Sequence, residues 1–327
     1  MSNSCPTRSW RYGTVSEIDV DFDRLADDLG GVRDAPLGEM TTYRVGGGAA
    51  VLVRVESLER LRRVAQILAE VDVPVLVIGR GSNMLVADRG FRGVAVQLGD
   101  FAAECEIDRR GDEAIVRAGG LALLPVVARR TASAGWTGFE WAVGVPGSVG
   151  GAVRMNAGGH GSDMEACVVD VDVYDLQRGS VSVRPLAELG LRFRGSSIVD
   201  HEVVTEARLR VSKGDVDTCR ATLDDIVRWR REHQPGGQNA GSVFVNPIPG
   251  ELSAGELIDR AGLRGRRLGS AEVSTKHANF IQADVGGSAT DVKDLMDLVR
   301  QRISDDFGIE LHSEIRLVGF VDGEETS

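Results

Sequence analysis

Two glycine-rich loops, Gly79-Arg80-Gly81-Ser82-Asn83 and Pro146-Gly147-Ser148-Val149-Gly150-Gly151, are the parts of this sequence best suited to holding an anion. Successive backbone N–H groups in such loops form a nest for phosphate without lysine, and Ser82, Asn83 and Ser148 add side-chain donors. The second loop lies inside a longer stretch, residues 138–161, GFEWAVGVPGSVGGAVRMNAGGHG. There Phe139, Trp141, Val143, Val145, Val149, Val153 and Met155 are interleaved with glycine. Apolar residues at that density call for burial, and the glycines let backbone approach another molecule closely. A linker would be Ser-rich and without aromatics, so the stretch reads as backbone laid against a large, flat, partly anionic ligand. Either loop alone is also compatible with a tight turn. Two of them, in a chain whose lysines are Lys213, Lys276 and Lys293, favour a pyrophosphate-containing cofactor.

Three side chains elsewhere have types suited to chemistry. Ser242, in Ala240-Gly241-Ser242, reads most simply as a turn hydroxyl satisfying nearby backbone. Glu314 shares a strand face with Arg316, and a carboxylate there could pair with an arginine across the sheet. Arg194, in Leu191-Arg192-Phe193-Arg194-Gly195, could be a surface charge at a strand–turn junction. Arg228, Arg230 and Arg231, at the end of a charged helix, could also reach an anionic ligand. Several chemistries find no support. Ser242 and Ser148 lack the GxSxG elbow of a hydrolase. The first loop has Met84 where a dinucleotide fingerprint needs its third glycine, and no GxxxxGK[ST] exists. The five histidines are scattered without HExxH, so no metal site is expected.

The elements that must carry these residues follow from periodicity. A short amphipathic helix is expected near residues 22–29, and a strand over 50–55. Leu58, Leu61, Val64, Ala65 and Leu68 then repeat at helical spacing behind Ser57 as cap. A buried strand over 73–78 leads directly into the first glycine loop, with more strand at 84–88 and 93–98. Short β-rich runs dominate 94–211, interrupted by one helix over 121–134. After Lys213-Gly214 come helices over 215–232, 254–261 and 289–307, the last with Val292, Leu295, Met296, Val299 and Ile303 as its core face. Residues 309–320 alternate as a final strand, with Glu314 and Arg316 on one side. The expected division is 1–17 disordered, units over 18–88, 89–213 and 214–321, and a tail over 322–327.

With 327 residues the chain has room for two or three domains. A net charge of -11 argues against nonspecific nucleic-acid binding, although a pocket can oppose the global sign. Cys5, Cys105, Cys167 and Cys219 form no CxxC pair. No signal core or membrane-spanning apolar run is evident, so a cytoplasmic protein with no membrane partner is expected.

Taken in order, TTYRVGG, G-x-GSN-x-L, P-G-S-V-G-G, N-A-G-x-x-G, the aromatic-Arg-x-S segment, A-G-S-V-F-x-N-P, H-A-N-F and G-I-E-L-x-x-E-I-R resemble one family. It is that of UDP-N-acetylenolpyruvoylglucosamine reductase, and the resemblance runs from about Thr41 to Gly319. It implies an α+β fold: a two-subdomain FAD-binding module of the vanillyl-alcohol-oxidase-like type, plus a C-terminal α+β substrate domain. It implies FAD and NADPH as cofactors and UDP-N-acetylglucosamine enolpyruvate as substrate, reduced for peptidoglycan precursor synthesis, with no protein partner. The rival reading is an FAD-dependent oxidase or dehydrogenase of another sugar or alcohol.

Residue by residue, the resemblance makes Arg194, Ser242 and Glu314 catalytic, with Ser242 the proton donor to a carbon reduced from flavin N5. It assigns cofactor binding to Gly79, Arg80, Gly81, Ser82, Asn83, Met84, Gly144, Pro146, Gly147, Ser148, Gly150, Gly151, Asn156, Ala157 and Gly158. Substrate binding falls to Asn246, Arg231, Lys276 and His277. The short link from Gly195 to Asn239 implies the subclass without an extra substrate-clamping loop. Phe193 stands where a tyrosine is common, and Val245 where many relatives carry lysine or another polar residue.

Overall fold

The apolar spacing of residues 58–68 produces a helix that covers a small parallel sheet. The computed structural model describes residues 20–248 and 250–320; the expectations for residues 1–17 and 322–327 lie outside the described residues. The first unit comprises α1 (Phe22–Leu29), β1 (Val32–Ala35), β2 (Ala49–Val55), α2 (Leu58–Ala69), β3 (Val75–Val77), β4 (Met84–Val86) and β5 (Phe91–Leu98). Its sheet order is β1-β2-β5-β3; β5 is parallel to both neighbours and β1 is antiparallel to β2. As expected, Ser57 caps α2 by accepting from the Arg60 N–H at 3.1 Å. Leu61, Val64, Ala65 and Leu68 share a core with Val51, Val53, Val94 and Val96. The strand expected over 73–78 narrows to β3, because Pro74 has no N–H for a ladder and the chain turns at Gly79.

The second unit comprises β6 (Cys105–Arg110), β7 (Glu113–Gly119), α3 (Leu124–Ser133), β8 (Trp136–Thr137), α4 (Val149–Arg154), β9 (Gly158–Gly159), β10 (Ser162–Asp163), β11 (Val168–Asp175), β12 (Ser180–Pro185) and β13 (Glu202–Lys213). An antiparallel sheet runs β12-β11-β13-β7-β6, with β8 beside β13. Helix α3 starts later than expected, with Pro125 in its first turn, where a fixed φ and a missing N–H cost nothing.

The remainder comprises α5 (Val216–His233), α6 (Ala254–Arg260), β14 (Arg267–Leu268), β15 (Ala271–Val273), β16 (Ile281–Ala283), α7 (Ala289–Phe307) and β17 (Arg316–Val318). Although the composition shift falls before α5, its Cys219, Leu223 and Ile226 join the core of the second unit. Conversely, Tyr43, Val45 and Leu85 join the core built by α6, α7, β15 and β16. The strand expected over 309–320 shortens to β17. Ser313 intervenes: its hydroxyl accepts from the Ile315 N–H and donates to the Ile315 carbonyl, each at 3.0 Å, which breaks the extended run. β17 pairs in parallel with β4, Arg316 opposite Met84, returning the chain end to the first unit. Among the described residues no helix is long and apolar enough to cross a membrane.

Asp88, just after β4, latches the first unit to α7. Its carboxylate accepts from the Ser288 and Thr290 hydroxyls, both at 2.7 Å, and from the Ala289 and Thr290 N–H groups, both at 2.9 Å. These bonds outweigh desolvation and hold its pKa below the ordinary Asp value. A depressed acid stabilises the fold above its unfolded pKa, and that contribution fades as pH falls through the folded one. Asp88 is exposed, so Asp88→Ala is expected to cost about 1 kcal/mol at pH 7, a thermal midpoint lower by ~2 °C. Calorimetry should find the gap between variant and wild type closing in acid; a gap independent of pH would show that the carboxylate charge is not what the latch uses.

Candidate functional site

A cavity of about 270 Å3 lies where the three units meet. Gly79, Arg80, Gly81, Ser82, Asn83 and Met84 form one wall; Gly144, Pro146, Gly147, Ser148, Gly151, Ala157 and Gly158 form another. Arg194, Ser242 and Glu314 complete it from three distant segments. A larger groove of about 980 Å3 lies against the first sheet, near Phe22, Phe91 and Phe320. It touches neither glycine loop nor any of the three candidate catalytic residues, so chemistry and not size selects the smaller cavity.

The glycine loops have the donors expected of them. Among the described residues, the backbone N–H groups of Gly79, Arg80, Gly81, Ser82, Asn83, Gly147 and Ser148 donate to no protein acceptor. The two loops touch: Ser82 Oγ donates to the Pro146 carbonyl at 3.0 Å. Gly81 has φ +59, and a Cβ there would sit 2.8 Å from Thr41 Cα, so only glycine allows this approach. Thr42, whose N–H donates to the Gly81 carbonyl at 3.1 Å, keeps its buried hydroxyl without a partner, as does the indole N–H of Trp141. Unpaired donors in a glycine cradle fit a pyrophosphate-containing cofactor such as FAD.

Arg194 and Glu314 meet on the cavity wall. Arg194 Nε donates to Glu314 Oε2 at 2.8 Å, with side-chain exposures of 31% and 11%. The arginine expected to pair with Glu314 is thus the other candidate, not its strand neighbour Arg316. Burial pushes the Glu314 pKa above its ordinary value, and the charge and hydrogen bond of Arg194 pull partly back. Arg194 occupies the left-handed region, φ +55, in a two-residue turn closed by paired bonds between Arg192 and Gly195, each at 3.0 Å. Holding a non-glycine residue there costs about 1–2 kcal/mol, which is a mark of functional positions. The exposed Phe193 ring lies 5.1 Å from the guanidinium carbon and supports it from one side.

Ser242 follows Gly241, φ +84, in a turn that Asn239 closes by accepting the Gly241 N–H at 3.1 Å. The Ser242 hydroxyl itself has no protein partner among the described residues, so the reading of it as a satisfied turn hydroxyl does not hold. Its segment is pinned to the Glu314 segment, whose N–H donates to the Val243 carbonyl at 2.8 Å.

Other candidates lie off the cavity wall. Gly150 packs α4 on the sheet, its N–H donating to the Gly120 carbonyl at 2.9 Å. Asn156 is buried and accepts the Glu165 N–H at 3.0 Å, fixing the turn after α4. Asn246 accepts the Ala254 N–H at 3.1 Å at the start of α6. Lys276 donates to the Arg231 carbonyl at the end of α5, and His277 accepts the Asn279 N–H at 3.2 Å beside Phe280. The cavity is reached by Arg230 instead of Arg231. Leu223, Ile226 and Arg230 recur at helical spacing, a phase the sequence already carried. Arg154 and Arg316 also line the cavity without having been singled out. Five arginines and one carboxylate therefore surround it, in a chain of net charge -11.

Comparison with known proteins agrees. Residues 233–318 match the family described as UDP-N-acetylenolpyruvoylglucosamine reductase, C-terminal domain, and residues 49–183 match an FAD binding domain. A UDP-N-acetylenolpyruvoylglucosamine reductase of Rubrobacter xylanophilus is 39% identical over 88% of this chain and 94% of its own. One of Paramagnetospirillum magneticum is 41% identical over 88% of this chain and 91% of its own. The crystal structure of the UDP-N-acetylenolpyruvylglucosamine reductase of Thermus caldophilus superposes with a TM-score of 0.76 at 32% identity, covering 88% of this chain and 98% of that one. The fold is accordingly an α+β FAD-binding fold.

Gly81→Ala is expected to force a strained φ and a backbone clash into the cradle, a cost of about 1–2 kcal/mol. Purified variant should carry little flavin absorbance and bind added FAD weakly in a fluorescence titration. Flavin content equal to wild type would remove this loop from the cofactor site.

Proposed function

The chain belongs to the UDP-N-acetylenolpyruvoylglucosamine reductase family, and from that membership we propose the division of labour among its cavity residues. The chain is a flavin-dependent oxidoreductase that reduces UDP-N-acetylglucosamine enolpyruvate to UDP-N-acetylmuramate for peptidoglycan precursor synthesis. Bound FAD supplies the two-electron reduction of the substrate's vinyl carbon, with NADPH as the source of electrons. The rival oxidase reading gains nothing from the comparisons.

The observation that carries the residue assignment is the convergence of Arg194, Ser242 and Glu314 on the cavity lined by both glycine loops. Reduction of the vinyl group leaves negative charge on the carbon beside the substrate carboxylate. Arg194 stabilises it, because its permanently charged planar fork matches a carboxylate. Glu314 supports the same charge once protonated. Ser242, with its hydroxyl uncommitted, delivers the proton to the carbon. The N–H groups of residues 79–83 and 147–148 hold the cofactor pyrophosphate. Arg230, the arginine of α5 that reaches the cavity, takes the sugar nucleotide. Most of residues 195–239 belong to β13 and α5, which supports the subclass without a clamping loop. Because both reactants are charged nucleotides, we place the reaction in the cytoplasm, with no protein partner required.

Ser242→Ala should slow substrate reduction by ~10²–10⁴, while NADPH bleaches the flavin at a near-normal rate. Stopped-flow measurement of the two half-reactions decides it; equal losses in both would make Ser242 structural. A substrate carboxylate on Arg194 adds negative charge beside Glu314, whose pKa already lies above the ordinary value. Substrate binding is therefore expected to take up a proton and to tighten as pH falls through the range above the ordinary Glu pKa. Calorimetric titrations in buffers of different ionisation enthalpy should detect this uptake in wild type and not in Glu314→Gln. Binding without proton exchange in wild type would mean that Glu314 keeps one charge state throughout.

A further inference from the structure

We propose that Asp200 is a positioning residue that sets Arg194 against Glu314 by bracing the three segments around the cavity. The inference rests on the roles given above to Arg194 and Glu314. Asp200 ends the loop that carries Arg194. Its Oδ1 accepts from Arg154 Nη2 and, at 2.8 Å, from Arg316 Nη2. Arg154 is the last residue of α4, the helix following the second glycine loop. Arg316 opens β17, just beyond Glu314. One carboxylate oxygen thus ties together the Arg194 loop, the glycine-loop helix and the Glu314 segment.

Neighbouring bonds reinforce the same three-way joint. Ser196 Oγ donates to the Arg154 carbonyl at 2.8 Å, and Arg154 Nη1 donates to the Val199 carbonyl at 3.3 Å. Arg316 donates its N–H to the Asn83 carbonyl at 3.1 Å, and Asn83 Nδ2 donates to the Glu314 carbonyl at 2.9 Å. The Glu314 side is therefore locked to the first glycine loop through the carbonyl and side-chain amide of Asn83, and the Arg194 side to α4 by Ser196. Asp200 joins the two halves. Arg154 and Arg316 both line the cavity and meet at Asp200 Oδ1, where its negative charge offsets the repulsion between the two neighbouring guanidinium groups. The left-handed turn of Arg194 is closed by its own bonds between Arg192 and Gly195, so where it sits against Glu314 is set by how the loop is held.

The test uses full-length, flavin-loaded Asp200→Asn and Asp200→Glu, with each half-reaction measured separately. A displacement of about 1 Å from a distant substitution costs up to ~10²-fold in rate. Asp200→Asn is expected to slow substrate reduction by about 10- to 100-fold, with normal flavin content and bleaching by NADPH within about twofold of wild type. Asp200→Glu, which restores the charge, should recover most of the loss. Wild-type substrate reduction in Asp200→Asn overturns the proposal. So does equal loss in both half-reactions, or failure of Asp200→Glu to recover any rate. If Asp200→Asn does not fold, the Asp200→Glu and Arg154→Gln variants carry the same comparison, and equal half-reaction losses in both overturn it. Arg194→Lys serves as control: wild-type turnover there sinks the catalytic reading, whereas an impaired Arg194→Lys beside an unimpaired Asp200→Asn sinks only this one.

Discussion

The ion pair between Arg194 and Glu314 is the contact on which the rest of the structure converges. Its partners are 120 residues apart in sequence and meet at 2.8 Å in a site that buries most of both side chains. Two charges withdrawn from water are costly unless geometry and further bonds compensate. Beyond their mutual bond the fold adds cost, because it holds the arginine in a strained left-handed turn. An arrangement this costly is poorly explained by stability, and well explained by a reaction that develops charge between the two groups.

The topology makes the pair possible. β17 returns from the C-terminal core to pair with β4, directly after the first glycine loop. The first glycine loop and Glu314 consequently lie side by side, each just before one of two adjoining parallel strands, and their spacing is set by ladder hydrogen bonds. The second glycine loop reaches the same place by a different route, through α4 packed on β13 and through the contact between Ser82 and Pro146. Cores that cross unit boundaries, with α5 on the second sheet and Tyr43 in the C-terminal core, keep these pieces in one arrangement.

Charge is organised on the same plan. The protein as a whole is acidic, yet arginines crowd the cavity and one carboxylate answers them. A local field opposed to the global one lets an anionic substrate and an anionic cofactor share a site, while the acidic surface disfavours nonspecific nucleic-acid binding. Arginine suits this use better than lysine, because its charge persists when burial draws its pKa down, as at Arg230.

The sequence by itself determined the elements and the chemistry available to them. Helical spacing located α2 and α7, β-rich runs located β5 and β13, and glycine density marked two loops suited to cradling an anion. These are local signals, set by backbone sterics and by which face must leave water, and a few adjacent residues suffice to express them. What the sequence did not contain was which distant groups meet. Glu314 could have paired with Arg316 on its own strand, but Ser313 breaks that strand and leaves Arg194 as the partner. Arg231 was chosen over Arg230, although only the latter shares a helix face with Leu223 and Ile226. Asn246 and Gly150 carry motif positions but bind backbone. Tertiary structure decided these points, because a side chain's partner depends on how strands and helices from separate segments are stacked, and no window of neighbouring residues records that stacking.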